Sequence, residues 1–274
     1  MPLENLRLAV LIDADNAPRK YMKGVMEEIA IYGTPTIKRI YGDWTSPKLA
    51  SWKKPLLENA ITPIQQYAYT VGKNSTDSAM IIDAMDILYT NNVDGFCIVS
   101  SDSDFTRLAT RLREAGMTVI GIGEKKTPAP FIVACDKFIY LEIIKSKARL
   151  SQKAEREAEK AAKEEKDKAA GLATQTEESG KESAESGRKA AFVPSEVEEL
   201  IAVTIADIAD EEGYAFLGEL GNLLVKKQPD FDPRNFGFRK LTPLIASLER
   251  FELDVRRIEE TGGVKHIYVK DKKA

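Results

Sequence analysis

Carboxylates gather in three short stretches of this chain: Leu11-Ile-Asp-Ala-Asp-Asn16, Thr76-Asp77 and Ser100-Ser-Asp-Ser-Asp-Phe105. Asp13 closes an apolar run from Leu6 to Ile12, and Asp102 follows another from Phe96 to Val99. In open parallel sheets the ligand crevice lies just outside the carboxyl ends of the strands, where the strand order reverses. Acids assembled there repel one another unless a cation sits between them, and hard oxygen donors suit Mg2+ or Mn2+. Such an ion lowers the pKa of bound water, places it in line with a phosphorus atom and neutralises charge on the leaving oxygen. That is the chemistry of phosphodiester hydrolysis. It needs no protein nucleophile, which fits a chain whose one histidine is His266 and whose two cysteines, Cys97 and Cys135, lie in apolar stretches as reduced core residues.

Each acid also has a purely structural reading. Asp15 and Asn16 are of types that commonly cap helices. On a helix from about Thr76, Asp77 shares a stripe with Ile81, Ala84 and Leu88, whereas Asp83 and Asp86 point away and read as solvated charges. An acid in a first turn is favoured by the helix dipole, and Ser101 three residues before Asp104 resembles a capping box. Packing explains Asp13 poorly, because a charge ending a central strand is partly buried. Asp13-Ala-Asp15 also evokes the nucleophile and acid pair of aspartyl phosphatases, but Asn16-Ala17 follows and the usual Ser/Thr and Lys companions are absent. Gly121-Ile-Gly123 lacks the rest of a phosphate-binding loop.

The elements that must position these acids alternate through residues 1–145. Leu6–Ile12, Thr36–Tyr41, Thr62–Ala68, Phe96–Ser100, Thr118–Ile122 and Phe138–Leu141 read as strands. Helical stretches lie between them, near 18–32, 47–60, 76–90, 104–115 and 128–135. Alternation of this kind predicts an α/β domain with a parallel sheet and helices on both faces. Residues 146–191 break the pattern. Ala154 to Lys168 holds helix formers and i,i+4 pairs without an apolar stripe, and Gly171 to Lys189 has a disordered composition, so the segment reads as a linker. Over 192–274, apolar residues at helical spacing predict helices starting at about Val197, from Phe216 to Lys227 and between Asn235 and Arg250. A hairpin turning at Thr261-Gly-Gly263 follows, which together describes a winged helix-turn-helix.

The net charge of −3 excludes a generally basic nucleic-acid coat, and 17 basic against 17 acidic residues in 1–145 leave that part neutral. The last part is acidic, with 12 against 16. Nucleic-acid binding must therefore use local patches, for which Arg234, Arg239, Lys240, Arg256, Arg257 and Lys265 are candidates. No apolar run approaches the roughly 20 residues of a membrane span, and the start lacks a secretion signal, so a cytoplasmic protein without membrane contact is expected.

Leu11-Ile-Asp-Ala-Asp-Asn16, the Lys73-Asn-Ser-Thr-Asp77 approach to a helix, and Ser100-Ser-Asp-Ser-Asp-Phe105 together resemble the NYN domain, a branch of the PIN-like nucleases. The resemblance covers about the first 140 residues and implies a PIN-like Rossmannoid sheet and metal-dependent RNase activity. It carries metal-ligand and catalytic roles onto Asp13, Asp77, Asp102 and Asp104, with Asn16, Lys73 and Ser101 toward substrate; an acidic set reaching the middle of the helix would add Asp83. Phe216-Leu-Gly-Glu-Leu-Gly-Asn-Leu-Leu224 and Asp230-Phe-Asp-Pro-Arg-Asn-Phe-Gly-Phe-Arg-Lys-Leu241 resemble the OST-HTH or LOTUS domain, which implies RNA binding, with Arg239 and Lys240 as contacts, or protein docking. The expected function is a metal-dependent endoribonuclease with a tethered RNA-targeting module. The alternatives are a non-catalytic RNA-binding adaptor that retains the fold and, more weakly, a phosphatase. Phosphate contacts alone do not separate RNA from DNA.

Overall fold

The computed structural model describes residues 6–67, 75–90, 92–148, 193–258 and 264–273. The proposed linker helix and coil, Lys73 and the Thr261-Gly-Gly263 turn lie outside them.

Six parallel strands form the first sheet: β1 (Leu6–Asp13), β2 (Gly33–Gly42), β3 (Thr62–Gln65), β4 (Gly95–Val99), β5 (Thr118–Gly123) and β6 (Lys137–Tyr140), in the order β3-β2-β1-β4-β5-β6. All six expected strands are present. The order runs outward in both directions from β1, so the switch point falls between β1 and β4, where the acid-bearing stretches end their strands. Ile12 pairs with Val99 and Asp13 with Tyr41, which sets Asp13 and Ser100 one step beyond the last β1–β4 pair.

Near-continuous apolar runs fit strands buried on both faces. Leu8, Val10 and Ile12 pack on one face against α1 (Met22–Ile29) and α2 (Lys53–Asn59). Ala9 and Leu11 pack on the other against α3 (Ser75–Thr90), α4 (Thr106–Glu114) and α5 (Ala129–Ala134). A helix α6 (141–148) follows β6 directly, so the predicted linker start at 146 falls inside regular structure. The first expected helix divides into a 3-10 turn, Arg19–Tyr21, and α1.

The second sheet is antiparallel, β7 (Tyr214–Phe216), β9 (Val264–Asp271) and β8 (Phe251–Ile258), and packs against α7 (Ser195–Ile208), α8 (Leu217–Lys227) and α9 (Leu241–Ala246). The third helix predicted between 235 and 250 is thus confined to α9, preceded by a 3-10 turn, Pro233–Phe236. Gly237, at φ 85°, ends that turn in the left-handed region, which glycine enters without steric cost. The backbone there cannot run on as one helix. Phe231 is core, and Phe236 and Phe238 pack on its margin.

The two parts touch. Segment 229–234 lies along β6: Phe138 N–H donates to the Pro229 carbonyl (2.9 Å) and the Tyr140 hydroxyl to Asp230 (2.7 Å). Further along, the Arg234 guanidinium pairs with Glu28 of α1, at 2.7 Å, and with Asp232, also at 2.7 Å. Glu28 is 1% exposed. Burial works against the charge on Arg234, yet the two carboxylates hold its pKa raised. Arg234 is therefore an anchor inside the molecule and not the surface phosphate contact expected from its type. A tether that leaves geometry free does not describe these contacts.

Candidate metal centre

β1, β4 and α3 deliver the acids. Asp13 ends β1 and is 1% exposed, a position where a carboxylate must be met by donors. Three meet it: Ser100 Oγ at 2.9 Å, Asn16 Nδ2 at 2.7 Å and the Asp15 amide at 3.0 Å. Ser100 Oγ also accepts from the Asp102 amide (3.1 Å), so one buried hydroxyl ties the ends of β1 and β4 together. The sequence reading passed over Ser100 as a site residue. Its place directly after an all-buried strand was the available signal.

Asp102 caps the 3-10 turn Ser103–Phe105, its carboxylate accepting from the Asp104 amide at 3.0 Å. The cap is thus Asp102 and not Ser101, as the capping-box spacing suggested. Ser101 Oγ instead accepts from the Glu124 amide (2.8 Å), linking the acidic loop to the loop after β5. The wall between these loops is tight. A methyl group on Gly123 would sit 2.6 Å from the Ser100 carbonyl and 2.7 Å from Thr127 Oγ1. Gly123→Ala should push the Ser100–Asp104 loop outward and lower hydrolysis by about tenfold to a hundredfold, since displacements near 1 Å have that effect; steady-state rates on a fixed RNA check it.

Asp77 lies in the first turn of α3, on the stripe that buries Met80, Ala84 and Ile87. One carboxylate oxygen each from Asp77, Asp102 and Asp104 lies within 4.8 Å of the others. Asp13 falls outside this group, although its charge reaches Asp77. Burial first, then the charges of Asp13, Asp102, Asp104 and Asp15, push the Asp77 carboxyl up to about 6. Asp15 is raised too, by burial and then by Asp13, with Lys48 opposing. Carboxylates gathered this closely form a ready seat for a hard divalent cation.

The sign of this shift gives a test on metal-free protein. An acid whose pKa rises on folding binds more protons folded than unfolded between its two pKa values, so stability falls as pH climbs from about 4 to about 6. Asp77→Asn removes that loss. In EDTA it should stabilise the protein at pH 7 by about 1–2 kcal/mol, after allowing for solvent screening, and leave it unchanged near pH 4. Denaturant titrations at the two pH values measure the difference.

Asp83, expected to be solvated, is bound by Arg39 and by the buried Tyr41 hydroxyl, both from β2. These contacts anchor α3 and leave Asp83 facing away from the Asp77 cluster. In the second part, Arg239 and Lys240 are exposed but precede α9, Lys240 being its N-cap residue. Arg256 lies over the Tyr214 and Tyr268 rings, 4.7 Å from each centroid, and pairs with Asp254 at 2.7 Å. Lys265 is exposed.

A six-stranded parallel sheet flanked by helices, with acids at its carboxyl edge, is a PIN-like α/β architecture. Residues 7–142 match the family model of the NYN domain, and residues 191–262 that of the OST-HTH/LOTUS domain. The chain carries an NYN domain followed by an OST-HTH/LOTUS domain in the same polypeptide. The NYN domain is part of a nuclease superfamily. An uncharacterised protein of Methanocaldococcus jannaschii is 29% identical over 122 residues, which span 43% of this chain and 47% of that protein. The chain thus matches about half the length of that relative. Among solved structures, a protein of unknown function from Vibrio parahaemolyticus shares 19% identity, with a TM-score of 0.43, over 50% of this chain and 93% of its own. An uncharacterised protein of Nitrosomonas europaea shares 26% identity, with a TM-score of 0.29, over 36% of this chain and 92% of its own.

Proposed function

We propose that this protein is a metal-dependent endoribonuclease. The observation that carries the reading is the meeting of Asp77, Asp102 and Asp104 at the switch point of the sheet, with oxygens within 4.8 Å. Mg2+ or Mn2+ bound there would activate water and offset charge on the scissile phosphate. Asp77, Asp102 and Asp104 would hold the ion. Asp13, expected as a fourth ligand, fixes Ser100 and Asn16 through Oδ2 and supplies negative charge behind the cluster; its Oδ1 accepts one bond and keeps a lone pair for an ion. Asn16 and Ser101 hold the loops that face substrate. One carboxylate orients the attacking water.

The OST-HTH/LOTUS domain supports RNA as the polymer. Among the described residues no helix is long and apolar enough to cross a membrane. The experiment is incubation of the purified full chain with labelled single-stranded RNA and Mn2+ or Mg2+, beside an EDTA control. Internal fragments should form with metal and cease with chelation. Intact RNA still bound by the folded protein would sink the nuclease reading and favour the adaptor.

A further inference from the structure

Between the two domains lies a cleft of about 300 Å3 lined by Lys125, Tyr140, Gln228, Asp230, Asn235 and Phe236, with Val197 behind. The volume is at the lower end of small-ligand sites. Its position is set by the topology. Lys125 follows the end of β5 and Tyr140 ends β6, so the cleft lies on the same carboxyl edge as the acidic cluster. Their loops adjoin: the Glu124 amide, next to Lys125, donates to Ser101 Oγ of the acidic loop at 2.8 Å. We propose that this cleft is a second RNA subsite, holding an unpaired nucleotide of the strand whose cleaved bond lies at the Asp77–Asp102–Asp104 cluster. The proposal rests on the nuclease reading for its substrate.

The lining fits that occupant. Unpaired bases are held by stacking on rings and by amide groups that reach their edges, and phosphates by isolated cations. Phe236 and Tyr140 supply rings, Gln228 an amide and exposed Lys125 the cation, while Asn235 braces the wall by donating to the Asp230 carbonyl (3.0 Å). The nearby acids are engaged. Asp230 accepts from Tyr140, Glu142 from the Lys125 amide (3.2 Å), and Glu124 pairs with Lys126 and Lys145. The cleft exists only while segment 229–234 stays on β6, because Gln228, Asp230, Asn235 and Phe236 come from one domain and Lys125 and Tyr140 from the other. The Glu28–Arg234 pair thereby becomes a positioning element for RNA.

Fluorescence anisotropy in EDTA, where metal-dependent cutting does not intervene, tests this with labelled single-stranded RNAs of about 6 and about 16 nucleotides and the full chain. Wild type should bind the longer strand about tenfold more tightly, the worth of one stacked and contacted base. Lys125→Glu and Gln228→Ala should lose most of that gain with unchanged melting curves. Arg234→Met should lose it together with an increase in radius of gyration by small-angle scattering. Variants that bind the longer strand as wild type does, with the domains shown apart in Arg234→Met, overturn the cleft while leaving the acidic centre standing. Failure of wild type to bind either RNA overturns the cleft and the RNA reading together.

Discussion

Asp102→Asn should lower RNA hydrolysis by about a thousandfold without weakening the fold, because a charged ligand of the ion that offsets developing phosphoryl charge is removed while its shape is kept. Asp102 accepts one bond, from the Asp104 amide, and an asparagine carbonyl can accept the same one. The substitution also takes one negative charge from a group of three acids whose oxygens lie within 4.8 Å. Metal-free Asp102→Asn should therefore melt at or above the wild-type temperature, the usual opposition of stability and activity at a functional site. Rates over a Mn2+ titration, read beside thermal melts in EDTA, examine both halves. Unaltered cleavage would place the active site elsewhere, and lost cleavage in an unfolded protein would say nothing for the acid as ligand.

Arg234→Met should uncouple the two domains. A buried ion pair broken on one side leaves a charge that destabilises by about 3–5 kcal/mol. Glu28 is 1% exposed, and in the variant it faces Asp232, with Lys137 nearby. Lys137 is itself held below its ordinary pKa by burial. The molecule has an escape: if segment 229–234 lifts off β6, Glu28 reaches water, so the loss is capped at the energy of docking. Both tryptophans, Trp44 and Trp52, lie in the first domain, so their fluorescence reports that unit while far-ultraviolet dichroism reports the whole chain. In wild type the two denaturation curves should coincide; in Arg234→Met they should separate. Glu28→Gln with Arg234→Met should recover part of the loss, since no buried charge is then stranded.

The sheet was legible because most of its strands are short apolar runs, β1 closed by Asp13 and β2 and β5 by Gly42 and Gly123, and because helices intervene between them. Edges were less so: β2 starts at Gly33 rather than Thr36, and β3 stops at Gln65, short of Ala68. Asp77, Asp102 and Asp104 were legible as a group since strand ends and a helix start converge in this topology. Asp13 belonged to the same crevice and Asn16 was read with it, whereas Ser100 was passed over because its signal, a place directly after an apolar strand, is shared by serines that bind only solvent. Asp83 misled because helical spacing gives a face and not the neighbour on it, here Arg39 and Tyr41. The Glu28–Arg234 pair joins residues more than two hundred positions apart, and no local pattern encodes such a contact. The short α9 reflects Gly237 and Pro243, which limit a stretch whose apolar spacing alone reads as a longer helix.

Strand β6 is the last strand of its sheet, and its outer side offers hydrogen-bonding groups that invite another strand. Pro229 meets that side with a carbonyl for the Phe138 amide and, being proline, no amide to extend a ladder. The second domain is thus also a stopper. A chain shortened to end after α6 would bare this strand, with the Phe138 and Tyr140 rings beside it, to any second copy. Self-association through the exposed strand is the hazard that the docked domain keeps closed.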